Sequence, residues 1–233
     1  MDASKGTVAV VGGTGALGSA LALRLADRGV HVRIGSRRLE TAEGAVDDIR
    51  SRLGDPDAPL SGHVSADAVQ GVPVVFLTVP FSAQAENLKA LAAVLTPGQI
   101  LVDATVPLAT ATGGKPSRTI GVWQGSAAEQ AQEMVPEGVI VVSALHSVSA
   151  VTLADHQGEH ERQDVLVMGD KKAARARIAG LIDLIDSLRA VDGGPLEAAR
   201  IAEQITALLI GVNRRHKTHA GIRFTGLPPY DWE

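Results

Sequence analysis

Thr7–Val11 is a short apolar, β-branched run that ends in Gly12-Gly13, and Leu17, Leu21 and Leu25 follow at helical spacing up to Gly29. This pattern predicts strand, turn and helix, with Gly29 as the stop. Residues 30–34 predict a second strand and Leu39–Leu53, rich in Ala, Glu, Asp and Arg, a second helix, so a first strand–helix–strand unit is complete by residue 35. Farther along, residues 72–79, 99–106 and 139–145 are apolar runs, and residues 82–95 form an Ala- and Leu-rich helix. Apolar runs without polar alternation suit strands buried on both faces. The predicted fold is therefore α/β, a Rossmann-like, doubly wound and mostly parallel sheet covered by helices.

After His146 the pattern changes: residues 164–168 are strand-like, 173–188 helical, and 195–215 a long helix with Pro195 at its start. The boundary is placed there, giving a nucleotide-binding domain over residues 1–146 and a smaller C-terminal α/β domain over 147–233. Within the last helix, Ile201, Ile205, Leu208, Leu209 and Val212 form a wide apolar stripe that needs a cover, either the first domain or a second subunit. A homodimer is the simpler expectation. Residues 108–126 hold four glycines and no apolar period, which predicts an irregular loop at one edge of the sheet.

Composition narrows the choice of partners. The 233 residues are 45% apolar and 21% charged with a formal net charge of −4, so disorder is excluded and neither nucleic acid nor an anionic membrane is favoured. Aromatic residues make up 3%, too few to build stacking platforms for single-stranded nucleic acid. Cysteine is absent, which removes disulfides, thiolate metal sites and any Cys nucleophile. Residues 1–6 carry one Lys before the first strand and are too short for a leader or a membrane span. The expectation is a cytoplasmic protein.

Gly13-Thr14-Gly15-Ala16-Leu17-Gly18 matches G-x-G-x-x-G, directly after a strand and opening a helix. In that setting the first glycine allows the tight turn, the second lets phosphates approach the backbone, and the third lets helix and strand pack closely. The helix N-terminus then holds a pyrophosphate. Sites for NAD place an acid at the end of the second strand, but this chain has Gly35-Ser36-Arg37-Arg38 there. A small hydroxyl and one or two guanidinium groups suit a 2′-phosphate, which a carboxylate would repel, so the predicted coenzyme is NADP.

The same glycines can be read with short-chain dehydrogenase spacing, but that chemistry needs a Tyr with a Lys four residues later, and the one tyrosine is Tyr230. That mechanism is excluded. The motifs GGTGALG at 12–18, GSRR at 35–38, FLTVPF at 76–81, VVSALHSVSA at 141–150, DGGPLEAAR at 192–200 and GIRF at 221–224 together resemble the NADPH-dependent reductases of coenzyme F420, also called F420:NADP oxidoreductases. The resemblance implies a Rossmann-like NADP domain, a small C-terminal α/β domain packed on it, and a deazaflavin lying over the nicotinamide in the cleft between them.

Carried onto this sequence, the resemblance implies that Thr14, Gly15, Ala16 and Leu17, within the turn from Gly13 to Gly18, hold the pyrophosphate. Ser36 and Arg37 would hold the 2′-phosphate, with Arg38 a second candidate. Val79, Pro80 and Phe81 would border the path from adenosine to nicotinamide. His146, Ser147, Val148, Ser149 and Ala150, with Ala220, Gly221 and Ile222, would face the coenzymes in the cleft. Ser149 stands where that family's pattern has Pro. No catalytic nucleophile is required, because hydride transfer between two rings depends on positioning, and His146 is the candidate to meet charge on the deazaflavin.

Two other functions fit the same residues: an NADP-dependent reductase of a small carbonyl or imine, with Asp103 or His146 as proton donor, and a non-catalytic NADPH sensor. No metal is expected. His156 and His160 are spaced i, i+4 but straddle Gly158 and have no third ligand. Arg214, Arg215, His216, Lys217 and His219 close the long helix, where cations complement its dipole, and could also attract an acidic coenzyme tail.

Overall fold

The computed structural model describes residues 6–228 and 230–232, so the N-terminal stretch read above for a leader lies, but for Gly6, outside the described residues. Strand β1 (Thr7–Val11) leads through the glycine turn into α1 (Ala16–Asp27) and out along β2 (His31–Ser36). Next come α2 (Leu39–Leu53), β3 (Leu60–Val64), α3 (Ser65–Val69), β4 (Val74–Leu77), α4 (Phe81–Leu91) and β5 (Ile100–Asp103). The rest of the chain forms α5 (Ala127–Met134), β6 (Ile140–Ser143), α6 (Ala150–Ala154), β7 (Gln163–Met168), α7 (Lys172–Ile182), β8 (Leu188–Gly194) and α8 (Ala199–His216).

All eight strands belong to one sheet in the order β3-β2-β1-β4-β5-β6-β7-β8. Neighbours run parallel throughout except β6 and β7, which meet antiparallel through one register pair, Ser143 with Met168. The first six strands have the doubly wound Rossmann order, whose topological switch point lies between β1 and β4. Alternate residues of each central strand feed two cores. Val8, Val10, Ile34, Phe76, Val102 and Val142 pack with α1, α2, α6 and α7. Ala9, Val11, Val75, Leu77, Leu101 and Val141 pack with α3, α4, α5 and α8. The unit after His146 also folds back over α1, where Arg24 Nη2 meets Ser187 Oγ at 3.4 Å and Arg28 pairs with Asp186.

Several elements end earlier than the apolar pattern predicts, each where a side chain captures a backbone group. The strand expected over 99–106 stops at Asp103, whose carboxylate accepts the Thr105 N–H at 2.7 Å. The helix expected to reach residue 188 stops at Ile182; Asp183 Oδ1 accepts the Ala190 N–H at 2.8 Å and turns the chain into β8. Pro195 does not open α8 directly: a 3₁₀ turn, Leu196–Ala198, intervenes, with the Leu196 N–H held by Asp170 at 3.0 Å. The loop from 108 to 126 is irregular apart from a 3₁₀ turn, Ala109–Thr112, and a Leu108–Thr119 bridge, and it follows the central strand β5 instead of lying at an edge of the sheet, because the two edges are β3 and β8.

Candidate functional site

Parallel pairing brings the ends of β2, β1, β4, β5 and β6 to one rim. At about 4.8 Å per strand, the four steps from β2 to β6 span about 19 Å. On β1, Gly12 turns the chain with φ +81°, a conformation that disfavours any side chain, and its N–H returns to Gly35 O at 3.1 Å. Gly18 brings α1 against this turn: a Cβ there would stand 2.5 Å from Gly12 O and from Thr78 Oγ1. Gly13 is buried, Thr14, Gly15 and Ala16 are exposed, and Leu17 is half-buried. No side chain caps α1 and no acid sits in its first turn, so the unpaired N–H groups and positive dipole end stay available to an anion.

Next along the rim, Ser36 is the last residue of β2 and half-buried, while Arg37 and Arg38 are exposed at the start of α2. No described residue bonds either guanidinium. On the other side of the glycine turn, Val79 crowds Gly12 closely enough that a Cβ at Gly12 would lie 2.8 Å from Val79 Cγ1. Exposed Pro80 caps α4 and half-buried Phe81 begins it. Val79 therefore abuts the glycine turn across the switch point, and Pro80 and Phe81 follow it into α4.

At the end of β6, Leu145 adopts φ +73° while 1% exposed, an outlier for a branched residue, and delivers His146. His146 is buried, and burial pushes its imidazole down to about 4, so the ring is neutral at ordinary pH. Its carbonyl accepts the Thr206 hydroxyl at 2.8 Å. His146, Ser147, Leu166, Ala202, Ile205 and Ile222 line a crevice too narrow to admit water. Val148 packs against the core on the α1 side, and Ser149 caps α6, which begins at Ala150. Where the family pattern has Pro, Ser149 thus accepts the Thr152 N–H, and its hydroxyl meets His219 Nδ1 at 3.5 Å.

The segment opposite is tied down by Asn213, which holds both backbone groups of Ala220, and by the Asp164 N–H, which donates to Ile222 O at 2.8 Å. Gly221 lies over the side chain of Gln163. The structure thus joins the two segments, 146–150 and 220–222, although 70 residues separate them. The cationic end of α8, from Arg214 to His219, is exposed beside them. His160 pairs with Asp155 at 3.0 Å, and among the described residues no group of three or more metal-ligating side chains gathers.

A model of the family described as NADP oxidoreductase, coenzyme F420-dependent, matches residues 7–107. F420-dependent NADP reductases from Methanothermobacter thermautotrophicus and Methanocaldococcus jannaschii are 41% and 40% identical over 223 residues, spanning 95% and 94% of this chain and 95% and 98% of theirs. The chain belongs to the coenzyme F420-dependent NADP oxidoreductase family. A crystal structure assigned provisionally as an F420-dependent NADP reductase from Arthrobacter sp. FB24 superimposes with a TM-score of 0.71 at 28% identity, over 91% of this chain and 95% of the other.

Behind the rim, this member of the F420-dependent oxidoreductases carries a buried polar knot that its sequence pattern does not reveal. Asp103, 0% exposed, accepts Gln84 Nε2 at 2.5 Å and the Thr105 N–H, and Gln84 Oε1 accepts Gln130 Nε2 at 2.6 Å. Burial pushes the Asp103 carboxyl up to about 6, against the lowering effect of these bonds. Fully buried and with its oxygens held by Gln84 and the Thr105 N–H, Asp103 presents no surface from which to give a proton to a carbonyl or imine. Glu203 on α8 is 2% exposed, and burial, with the Asp103 and Glu129 carboxylates nearby, pushes it up to about 7. Its signal in the sequence is an acid placed among the buried Ala199, Ala202 and Ala207 of α8.

Proposed function

We propose that this protein passes a hydride between NADP(H) and coenzyme F420 across the carboxyl rim of its sheet, with the dinucleotide laid from β2 towards β6. The reaction class itself, F420:NADP oxidoreduction with both coenzymes as substrates, follows from family membership. The observation that carries the arrangement is the order of chemistry along the rim: paired guanidiniums at β2, an uncapped helix end at β1, and the neutral His146 crevice at β6. Both coenzyme ends fit what the chain offers, because no carboxylate stands at the end of β2 and the exposed turn leaves backbone N–H groups for phosphate.

In this reading Gly13, Thr14, Gly15, Ala16, Leu17 and Gly18 hold the pyrophosphate, and Ser36 with Arg37 and Arg38 hold the 2′-phosphate. Val79, Pro80, Phe81 and Ala150 border the path to the nicotinamide. His146, Ser147, Val148 and Ser149, with Ala220, Gly221 and Ile222, line the deazaflavin side, contributed largely by residues 147–233. The bound coenzymes supply the chemistry, a direct transfer between nicotinamide C4 and deazaflavin C5. The chain supplies position: two walls that set ring against ring, and a neutral imidazole able to offer an N–H without competing for the proton. Arg214 and Arg215 attract the acidic coenzyme tail.

The enzyme works as a cytoplasmic homodimer, without nucleic acid or membrane partners. Ile201 and Leu208 on α8 are 57% and 64% exposed in the single chain, which supports α8 as the subunit contact. Among the described residues no helix is long and apolar enough to cross a membrane. Mixing purified protein with NADPH and oxidised F420 and following the deazaflavin absorbance tests the activity. Loss of absorbance at the rate of NADPH consumption is expected, and unchanged absorbance with NADPH still bound would refute the reading.

A further inference from the structure

The N–H groups of the first turn of a helix have no partner within it and form its positive end. At α5 two of them are satisfied from another helix altogether. Glu203 on α8 accepts the Ala127 N–H at 3.1 Å with one carboxylate oxygen and the Ala128 N–H at 3.3 Å with the other. The next amide, Glu129 N–H, is taken locally by Ser126 Oγ at 3.0 Å. Ser126 thus gives α5 a cap of its own, so Glu203 is not needed merely to start the helix. What the acid adds is a two-point tie between α5, which packs under β5 and β6, and α8.

One turn farther along α8, the Thr206 hydroxyl donates to His146 O. Residues three apart lie on one side of a helix. The same side of α8 that is tied to α5 therefore also holds the backbone of the kinked Leu145–His146 step. A left-handed conformation at a buried leucine persists only where its surroundings over-determine it, and the Thr206 bond is one of those constraints. Ala202 and Ile205, which flank Glu203 and Thr206, form the α8 wall of the crevice that His146 lines. Two acceptors at the spacing of consecutive amides are required. A carboxylate supplies both, whereas a carboxamide turns an NH₂ towards an N–H.

We propose that Glu203 is a positioning residue for hydride transfer: by capping α5 from α8 it fixes the roll of α8, and through Thr206 it sets the Leu145–His146 backbone on the deazaflavin side of the site. The inference rests on the reading of 146–150 as deazaflavin-facing. It assigns Glu203 no contact with either coenzyme, and it locates the effect of losing Glu203 at one end of the cleft.

The test is the steady-state kinetics of Glu203→Gln with each coenzyme varied in turn, beside Ala127→Pro. Proline is tolerated at the first helical position, where it deletes one of the two N–H donors from the α5 side; its ring carbon replaces the amide hydrogen and displaces the Glu203 carboxylate, while the sequence of α8 is unchanged. The preceding Ser126 already has the extended conformation that a following proline demands. Glu203→Gln should raise KM for F420 and lower kcat, about tenfold together, while KM for NADPH stays within twofold; Ala127→Pro should show the same selectivity with a smaller effect. Equal changes for both coenzymes, or a lowered Tm with unchanged kinetics, would mean that Glu203 only stabilises the fold and would overturn the proposal. Should Glu203→Gln fail to fold, Ala127→Pro decides between the same outcomes. A wild-type enzyme inactive with F420 would instead overturn the reading beneath it.

Discussion

The glycine turn allows a sharp forecast because its tolerances are set by backbone atoms. Gly18→Ala adds one methyl group, whose carbon would lie 2.5 Å from Gly12 O, 2.5 Å from Thr78 Oγ1 and 2.8 Å from Gly13 Cα, where ordinary contact begins at 3.4 Å. The Thr78 hydroxyl can rotate away by giving up its 3.0 Å bond to Val11 O, but the other two atoms belong to the turn. Helix α1 must therefore shift by most of the roughly 0.9 Å deficit. Overpacking of this kind costs about 1–3 kcal/mol, and the better helix propensity of Ala returns about 1 kcal/mol. A net loss of about 1 kcal/mol corresponds to a fall in Tm of about 2–4 °C for a chain of this length. The displaced turn would carry with it the amides proposed to hold the pyrophosphate, so KM for NADPH should rise by at least about tenfold. Gly44→Ala is the internal control: it lies inside α2, a Cβ there meets nothing within 4 Å, and the substitution should raise Tm slightly with kinetics unchanged. Differential scanning fluorimetry and coenzyme titration on the two variants decide the matter. A Gly18→Ala protein as stable as Gly44→Ala with normal KM for NADPH would show that the close approach of α1 to the turn is not limiting.

Arg37→Ala should raise KM for NADPH by about 10–100-fold, the loss of one charge-assisted bond to a phosphate, while KM for NADH moves less than about twofold. Equal effects on both coenzymes would remove Arg37 from the 2′-phosphate. Asp103→Asn tests the buried knot through pH. Because the folded carboxyl is raised from 3.8 to about 6, the stability it confers is present at low pH and lost as pH rises from about 4 to 6. Two units correspond to about 3 kcal/mol, so the deficit of the Asn variant measured by urea unfolding should be about that much larger at pH 4 than at pH 7.5. A deficit independent of pH would mean that Asp103 titrates normally.

What the sequence discloses of this fold, and what it hides, follows from where each residue finds its partners. Strands β1, β4, β5 and β6 are covered on both faces, so their apolar runs stand out without a template. The two unannounced strands, β3 and β8, are the two edges of the sheet. Their residues are mostly half-buried, and each contains glycine: LSGHV and LRAVDGG. In β3 the glycine is imposed by packing, since a Cβ at Gly62 would stand 2.7 Å from Glu43 N of α2. A rule that seeks apolar alternation passes over both. The short helices α5 and α6 escape for a related reason, because they are held at their ends by Ser126, Glu203 and Ser149 rather than by a long apolar stripe.

The same distinction runs through the site. The half proposed to bind anions is encoded in consecutive residues, since a helix N-terminus, a tight turn and a strand end are local objects, and GGTGALG and GSRR announce them directly. The half around His146 depends on contacts across great distances in sequence: Glu203 meets Ala127 over 76 residues, Thr206 meets His146 over 60, and Ser149 meets His219 over 70. No spacing rule spans such gaps, and here the motifs of a resembling family identify segments without saying what fixes them. Glu203, a buried acid that among the described residues is bonded to two amides of α5 and to no cation, is the feature that we propose turns those segments into a geometry. Two backbone N–H groups at a helix end offset part of the cost of burying it, although burial still pushes the Glu203 carboxyl up to about 7, and the same two bonds tie α8 to α5.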